Sequence, residues 1–221
     1  MGRPPSSHSR VRPMLYTKPY FQPHDPAELF DLVDRVVLGT LVTAHDEGVA
    51  ISHPVFMADR ARNRLVSHVA LANDHVRFLR QGLPSIAILM DGGSYISSSW
   101  YPAAPQRDSA PTWNFMVAHF HGRPEIIPEA ATARHLSQLV THMERGRQDA
   151  WSMGELGPGG LERRLPNIVG YELPIERSEV RFKLGQDERA RDMLAAEARL
   201  REAGRNDLAD RMASYRPKEN E

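Results

Sequence analysis

Three segments carry side chains whose types and spacing suit chemistry. In Ser67-His68-Val69-Ala70-Leu71-Ala72-Asn73-Asp74-His75-Val76-Arg77 a hydroxyl and an imidazole end a strand, Asn73 opens a helix, and Arg77 follows one turn in. Orphan amides at a helix start beside a guanidinium suit an anion such as phosphate, although Asp74 competes for the same positive end and plain capping by Asn73 explains the same residues. The stretch Tyr95-Ile96-Ser97-Ser98-Ser99-Trp100-Tyr101-Pro102, with Thr112-Trp113-Asn114-Phe115, gathers aromatic faces, hydroxyls and an amide around a loop. Flavins and other planar ligands are held by apolar walls and a few aimed polar groups; core anchoring by the tryptophans and turn formation by the serines is the competing reading. His119 and His121 alternate along one strand, so both imidazoles point the same way and could give a metal two ligands, but no local carboxylate completes the shell. His53 before Pro54 and His68 beside Ser67 read singly as hydrogen-bonded structural histidines.

The common nucleotide, zinc and hydrolase signatures are absent from the 221 residues. Gly157-Pro158-Gly159-Gly160 lacks a following lysine and reads as a loop. The chain has no cysteine, which excludes disulfides, thiolate nucleophiles and cysteine-held clusters. Its 28 basic and 28 acidic residues balance, so the domain as a whole offers no electrostatic footprint for nucleic acid. No apolar run approaches the roughly 20 residues of a membrane span, and the N-terminus lacks a secretory apolar region. A cytoplasmic protein is expected. All but Lys18, Lys183 and Lys218 of the cations are arginines, whose planar fork suits phosphate and carboxylate.

The elements that must position these groups follow from pattern. Residues 1–13 read as a disordered basic tail. Asp25-Pro26-Ala27-Glu28 starts a helix of about ten residues: Asp25 caps, Pro26 presets φ, and Glu28 completes a capping box. VVLGTLVTAH and VAISHPVFMA flank a short turn, predicting an antiparallel hairpin. LVSHVAL continues the meander and leads into a helix from Asn73 through Arg80. PSIAILMDGGSYIS predicts a buried strand, a Gly92-Gly93 turn and a second strand; TWNFMVAHFHG is the longest alternating run, with EII a short continuation. Pro128 opens a helix with Leu136, Leu139, Val140 and Met143 on its apolar stripe. Residues 147–160 read as a flexible loop. IVGYELPIE and EVRFKL predict a strand pair turning at Arg177-Ser178, and Asp187 to Tyr215 is helical with charges of both signs, a pattern of solvated surface. Seven to eight strands interrupted by helices give an α+β plan: one domain, a small antiparallel barrel with helices outside it.

Blocks along the chain resemble the PaiB-type family of FMN-binding negative transcriptional regulators. The matching blocks are GTLVTAHDEGVAISHPV from Gly39, SHVALANDH from Ser67, SYISSSWYP from Ser94, APTWNFMVAHFHG from Ala110 and NIVGYELPIERSEVRFKLGQ from Asn167, in order, over roughly Tyr16 to Asp187. The family usually has Asn-Pro where this chain has Asn73-Asp74, and Leu-Ser-Gln-Asn where it reads Leu184-Gly185-Gln186-Asp187. The resemblance implies an antiparallel FMN-binding split β-barrel over 14–186 with peripheral helices and a C-terminal helical extension at 187–221. It implies a homodimer with FMN at the interface. Ser67, His68, Asn73 and Arg77 become candidates for the phosphate end, Ser52 and His53 for the ring or ribityl chain, and Trp113, Asn114, Lys183 and Gln186 for contacts across the dimer. It also implies a regulatory or flavin-sensing role. DNA is a partner by resemblance only, with Arg3, Arg10, Arg12 and Lys18 of the tail as its local candidates. The same fold hosts flavin reductases, pyridoxamine-phosphate oxidase-like enzymes and haem-binding proteins, which are the alternatives; a haem ligand would be His119 or His68.

Overall fold

The computed structural model describes residues 15–103, 107 and 109–217; the basic tail expected at 1–13, and Met14, lie outside the described residues. In chain order the elements are α1 (Ala27–Val36), β1 (Thr40–His45), β2 (Gly48–Ser52), β3 (Phe56–Asp59), β4 (Arg64–Ala70), α2 (Val76–Arg80), β5 (Ser85–Ile96), β6 (Thr112–Gly122), β7 (Glu125–Ile126), α3 (Glu129–Glu144), β8 (Ile168–Pro174), β9 (Arg177–Lys183), α4 (Ala190–Glu202) and α5 (Asn206–Tyr215). The α1 start forms one half of the capping box its sequence predicts: Asp25 N–H donates to Glu28 Oε1 at 2.9 Å, but Asp25 Oδ1 accepts from Ala27 N–H at 2.8 Å, and Glu28 N–H donates to the Asp25 carbonyl at 3.0 Å.

The strands form two antiparallel sheets, one ordered β2-β1-β5-β6-β9 and the other β3-β4-β8-β7. This is the α+β split barrel that the sequence pattern and the family resemblance predict. Period-2 alternation turns Leu41, Ala87, Leu89, Ala118, Phe120, Val180 and Phe182 of the larger sheet inward against Phe56, Leu65, Tyr171 and Leu173 of the smaller one. The chain passes between the sheets at His53-Pro54-Val55, where Leu38 and Val55 make an isolated bridge.

Four local expectations need correction. Gly92-Gly93 is not a hairpin turn. β5 runs straight through it with a register shift between Asp91 and Ser94, and both halves pair with β6. Gly93 sits at φ +58, and a Cβ there would lie 1.7 Å from the Asn114 carbonyl oxygen, so only glycine allows this close approach. The turn between β8 and β9 falls at Ile175-Glu176, and Arg177 already pairs with His121. The terminal helical stretch is broken at Gly204 into α4 and α5. Their charges are not all solvated: Asp192 is fully buried against Arg189 Nε at 2.5 Å, and Glu197 is buried beside Arg216. The cause is burial of the facing stripe, because Met193, Ala196, Leu200, Leu208 and Met212 belong to the same core as the sheets.

The face that α3 buries also differs from the one its apolar spacing predicts. Thr132 and His135 are its buried residues, and Met143 is exposed. The reason lies on β8, where Gly170, which lacks a side chain, pairs with His68 of β4. α3 sinks into that gap, so a Cβ on Gly170 would lie 2.2 Å from Thr132 Oγ1. Gly170→Ala should therefore lift α3 and cost about 1–3 kcal/mol, read as a lower urea midpoint; an unchanged midpoint would show that α3 is not seated through this contact.

Candidate functional site

A cleft of about 290 Å³ opens where β2 leaves the larger sheet, lined by Ser52, His53, Pro54, Val55, His68, Val69, Ala70 and Asn73. Behind it runs a chain of buried polar groups. Ser85 Oγ donates to the Leu83 carbonyl at 2.9 Å, Thr43 Oγ1 lies 2.6 Å from Ser85 Oγ and 2.8 Å from His75 Nε2, and His75 Nδ1 lies 3.0 Å from Ser52 Oγ. A carbonyl only accepts, and that fixes every proton in the series. Ser85 spends its hydrogen on Leu83, so Thr43 donates to Ser85, His75 Nε2–H donates to Thr43, and Ser52 O–H donates to the bare His75 Nδ1. Ser52 Oγ then accepts from Asn73 Nδ2 at 3.2 Å, while Asn73 Oδ1 accepts the His75 backbone N–H at 2.9 Å. His75 is a neutral imidazole, its pKa lowered by burial and then by nearby His45. The carboxamide of Asn73 is locked with its second N–H left to serve the cleft.

On the other side of the cleft His68 makes a ring-to-ring bond, Nδ1 to Nε2 of His135, at 3.0 Å. Burial lowers the pKa of His68, and burial followed by the His68 neighbour pushes His135 down to about 4. Both rings are neutral at pH 7, so one Nδ1/Nε2 pair shares a single proton.

The structure brings Ser52, His53, His68 and Asn73 together at this cleft. Ser67, the neighbour of His68 on a strand, faces the opposite way into the core and donates to the Val55 carbonyl at 2.7 Å. Arg77 is exposed on α2, with its guanidinium over the Phe78 ring, and does not line the cleft. Asp74 is likewise exposed and outside the lining, so its carboxylate does not face the cleft.

Trp113, Asn114, Lys183 and Gln186 lie on β6, β9 and the turn after β9, none of them in the cleft wall. Trp113 is half exposed and donates to the Gly92 carbonyl at 2.6 Å; Asn114 is buried against Met212; Lys183 pairs with Asp187; the Gln186 amide closes its own turn through Phe182 and Leu184. Gly185 sits at φ +97, a conformation that a serine adopts only under strain. Ser97 caps a one-turn helix over Ser98–Trp100, so this serine acts as a turn former. His119 and His121 share one face of β6, where Arg177 donates to His121 Nδ1 at 3.0 Å and His121 Nε2 faces Glu179 at 3.4 Å.

His75, Thr43, Ser85 and His135 are the participants that sequence reasoning missed. His75 stood inside the singled-out Ser67–Arg77 segment, and its place two residues after a capping asparagine was the available signal. Nothing local marks His135.

Comparison with known proteins identifies the class. The fold matches flavin-binding split barrels: the FAD and haem binding protein of Mycobacterium smegmatis, at TM-score 0.56 and 19% identity over 79% of this chain and 80% of that one, and the flavocytochrome Anf3 of Azotobacter vinelandii, at TM-score 0.57 and 17% identity over 76% and 72%. The protease synthase and sporulation protein PAI 2 of Bacillus subtilis is 25% identical over 182 residues, 81% of this chain and 86% of that protein. The family model described as "Putative FMN-binding domain" matches residues 15–177, and the chain belongs to that family, with FMN as its cofactor. The cleft suits the polar end of FMN: it offers a hydroxyl, a carboxamide and two imidazoles, and no carboxylate lines it.

The depressed pKa of His135 has a consequence for stability. Its folded value of about 4 lies below an unfolded value of roughly 6.5, so the unfolded chain takes up the proton first as pH falls. Stability is full above pH 6.5 and is lost between there and about 4, by on the order of 3 kcal/mol from this residue. His135→Gln should flatten that part of the profile in denaturant titrations across the window; a parallel loss in the variant would assign the effect to other groups.

Proposed function

We propose that this protein is a cytoplasmic flavin-linked regulator or sensor that acts as a homodimer. FMN would lie with its phosphate and ribityl groups at Ser52, His53, His68 and Asn73. The observation that carries this reading is the commitment of the cleft's imidazoles. Of the two imidazoles that line the cleft, His53 meets Thr40 Oγ1 through Nδ1 at 3.1 Å and His68 meets His135 through Nδ1, while His75 behind the wall spends both nitrogens on protein groups; no carboxylate lines the cleft to move a proton. Such a site binds and orients. Bound FMN would supply redox chemistry through its ring, and the protein would read the flavin's presence or oxidation state.

A second copy is supported by the outer face of the larger sheet. Val49 and Ile51 on β2, Met90 on β5 and the cross-strand pair Tyr95 and Trp113 are all exposed, with Val42, Ile86 and Ile88 half-buried between them. This apolar face borders the cleft at His53, and closing it against its symmetry mate would bring the partner's Trp113 toward the flavin ring. Regulation through DNA rests on family resemblance.

Two experiments test this reading. Asn73→Asp replaces the cleft's fixed N–H donor by a carboxylate and should weaken FMN binding by at least about tenfold in absorbance or fluorescence titration. Equal affinity in the variant, or no FMN uptake by the parent protein, would remove the cleft from consideration; rapid NADH oxidation by loaded protein would instead favour a flavin-dependent oxidoreductase. Ile51→Asp should convert a dimer to monomer in sedimentation analysis, and an unchanged sedimentation profile would exclude this face.

A further inference from the structure

A second concavity is larger than the cleft. A groove of about 760 Å³ separates α3 from the β3–β4 hairpin, with Met57, Ala58, Val66, Ile127 and Ala131 among its lining residues as apolar surface. Along α3 the residues at His135, Gln138, Thr141, His142 and Arg145 recur at helical spacing and face it, with Arg134 beside them. Two carboxylates, Asp59 and Glu172, also line the groove, but both are paired, with Arg62 and, for Glu172, Arg64 as well; Arg60 pairs with Asp31 and Asp34, whereas Arg134 and Arg145 have no ion pair among the described residues. At the inner end lies His135, 98% buried by its relative exposure of 2%, and its Nδ1 has no hydrogen-bond partner. That atom is on the other edge of the ring from the Nε2 that meets His68.

An apolar floor, two unpaired guanidinium groups and an unsatisfied imidazole nitrogen define one chemistry. The geometry points to a binding site for a small organic acid, an apolar body carrying one carboxylate, whose occupancy is read in the flavin cleft through the His135–His68 pair. The mechanism is a choice of tautomer. A carboxylate that accepts from His135 Nδ1–H holds the proton there and leaves Nε2 bare, so Nε2 accepts from His68 Nδ1–H. His68 Nε2 is then a lone pair in the cleft. The reverse arrangement, with His135 Nε2–H donating, presents His68 Nε2–H to the cleft. An acid that reaches this buried nitrogen from the groove thus switches one cleft contact from donor to acceptor. The coupling half of this inference rests on the cleft being the FMN site; the binding half does not.

The test is nitrogen-15 NMR of histidine-labelled protein titrated with benzoate, with inorganic phosphate as comparison. Benzoate should shift the ring nitrogens of His135 and His68 saturably, and Arg134→Gln with Arg145→Gln should weaken that response about tenfold. No saturable shift, or one indifferent to both arginine substitutions, overturns the site; an equal response to phosphate overturns the requirement for an apolar body. FMN titrations with and without saturating benzoate then test coupling: FMN affinity should change at least about threefold in the parent and stay constant in His135→Phe. Loss of all FMN binding with the NMR response intact would strike the cleft assignment alone, whereas normal FMN binding without an NMR response strikes this inference alone.

Discussion

The Leu83 carbonyl can only accept, and much of the site's definition follows from that one-sidedness. It sits at the base of a series of hydroxyls and one imidazole that ends at the cleft. With its direction set at one end, no group in the series can reverse alone. Each member is buried, so a broken link would leave an unpaired polar atom out of reach of water, at a cost of about 1–3 kcal/mol. The series joins β1, β2, β5 and the turn before α2, which are the elements whose convergence makes the cleft. Fixing the rotamers of Ser52 and Asn73 is thereby a by-product of holding the fold together.

The opposite wall obeys a different constraint, one of space. Pairing His68 with a glycine leaves a vacancy on the outer face of the smaller sheet, and α3 fills it with Thr132 and His135. The apolar side chains of α3 that its sequence spacing groups together are consequently left half exposed, because helix rotation is decided by the closest backbone approach. The same contact places two neutral imidazoles within bonding distance and gives the cleft and the groove a common wall.

Much of the architecture was legible locally. VAISHPVFMA, read as one strand, divides at His53-Pro54-Val55 into β2 and β3 of different sheets, but the Asp25–Glu28 contact, the turn at Asp46-Glu47 and the alternation of β6 each depend on residues within a few positions of one another, and each formed as its pattern dictates. Gly92-Gly93 did not, since two glycines permit a turn or a bulge equally and the partner strand β6 decides between them. Asp192 and Glu197 misled for a related reason: alternating charge describes a helix surface but not which part of it a neighbouring core will cover. In the candidate site, Ser52, His53, His68 and Asn73 were read from the sequence and meet at the cleft. Arg77 and Ser67 were grouped with them by proximity in sequence, and the pleat and the short α2 helix send them elsewhere.

By itself the sequence determined the α+β class, most of the strands and helices, and the family, because periodicity, caps and ordered motif blocks are properties of short spans; it did not determine where β5 continues and where β2 and β3 part, which the partner strands decide. Only the tertiary structure decided that His75 would be a fixed neutral link and that His135 would bridge cleft and groove. Both depend on partners tens of residues away, Thr43 and Ser52 for one and His68 for the other. No local pattern encodes such pairings; they arise when the sheets and α3 close and exclude water from groups that must then satisfy one another.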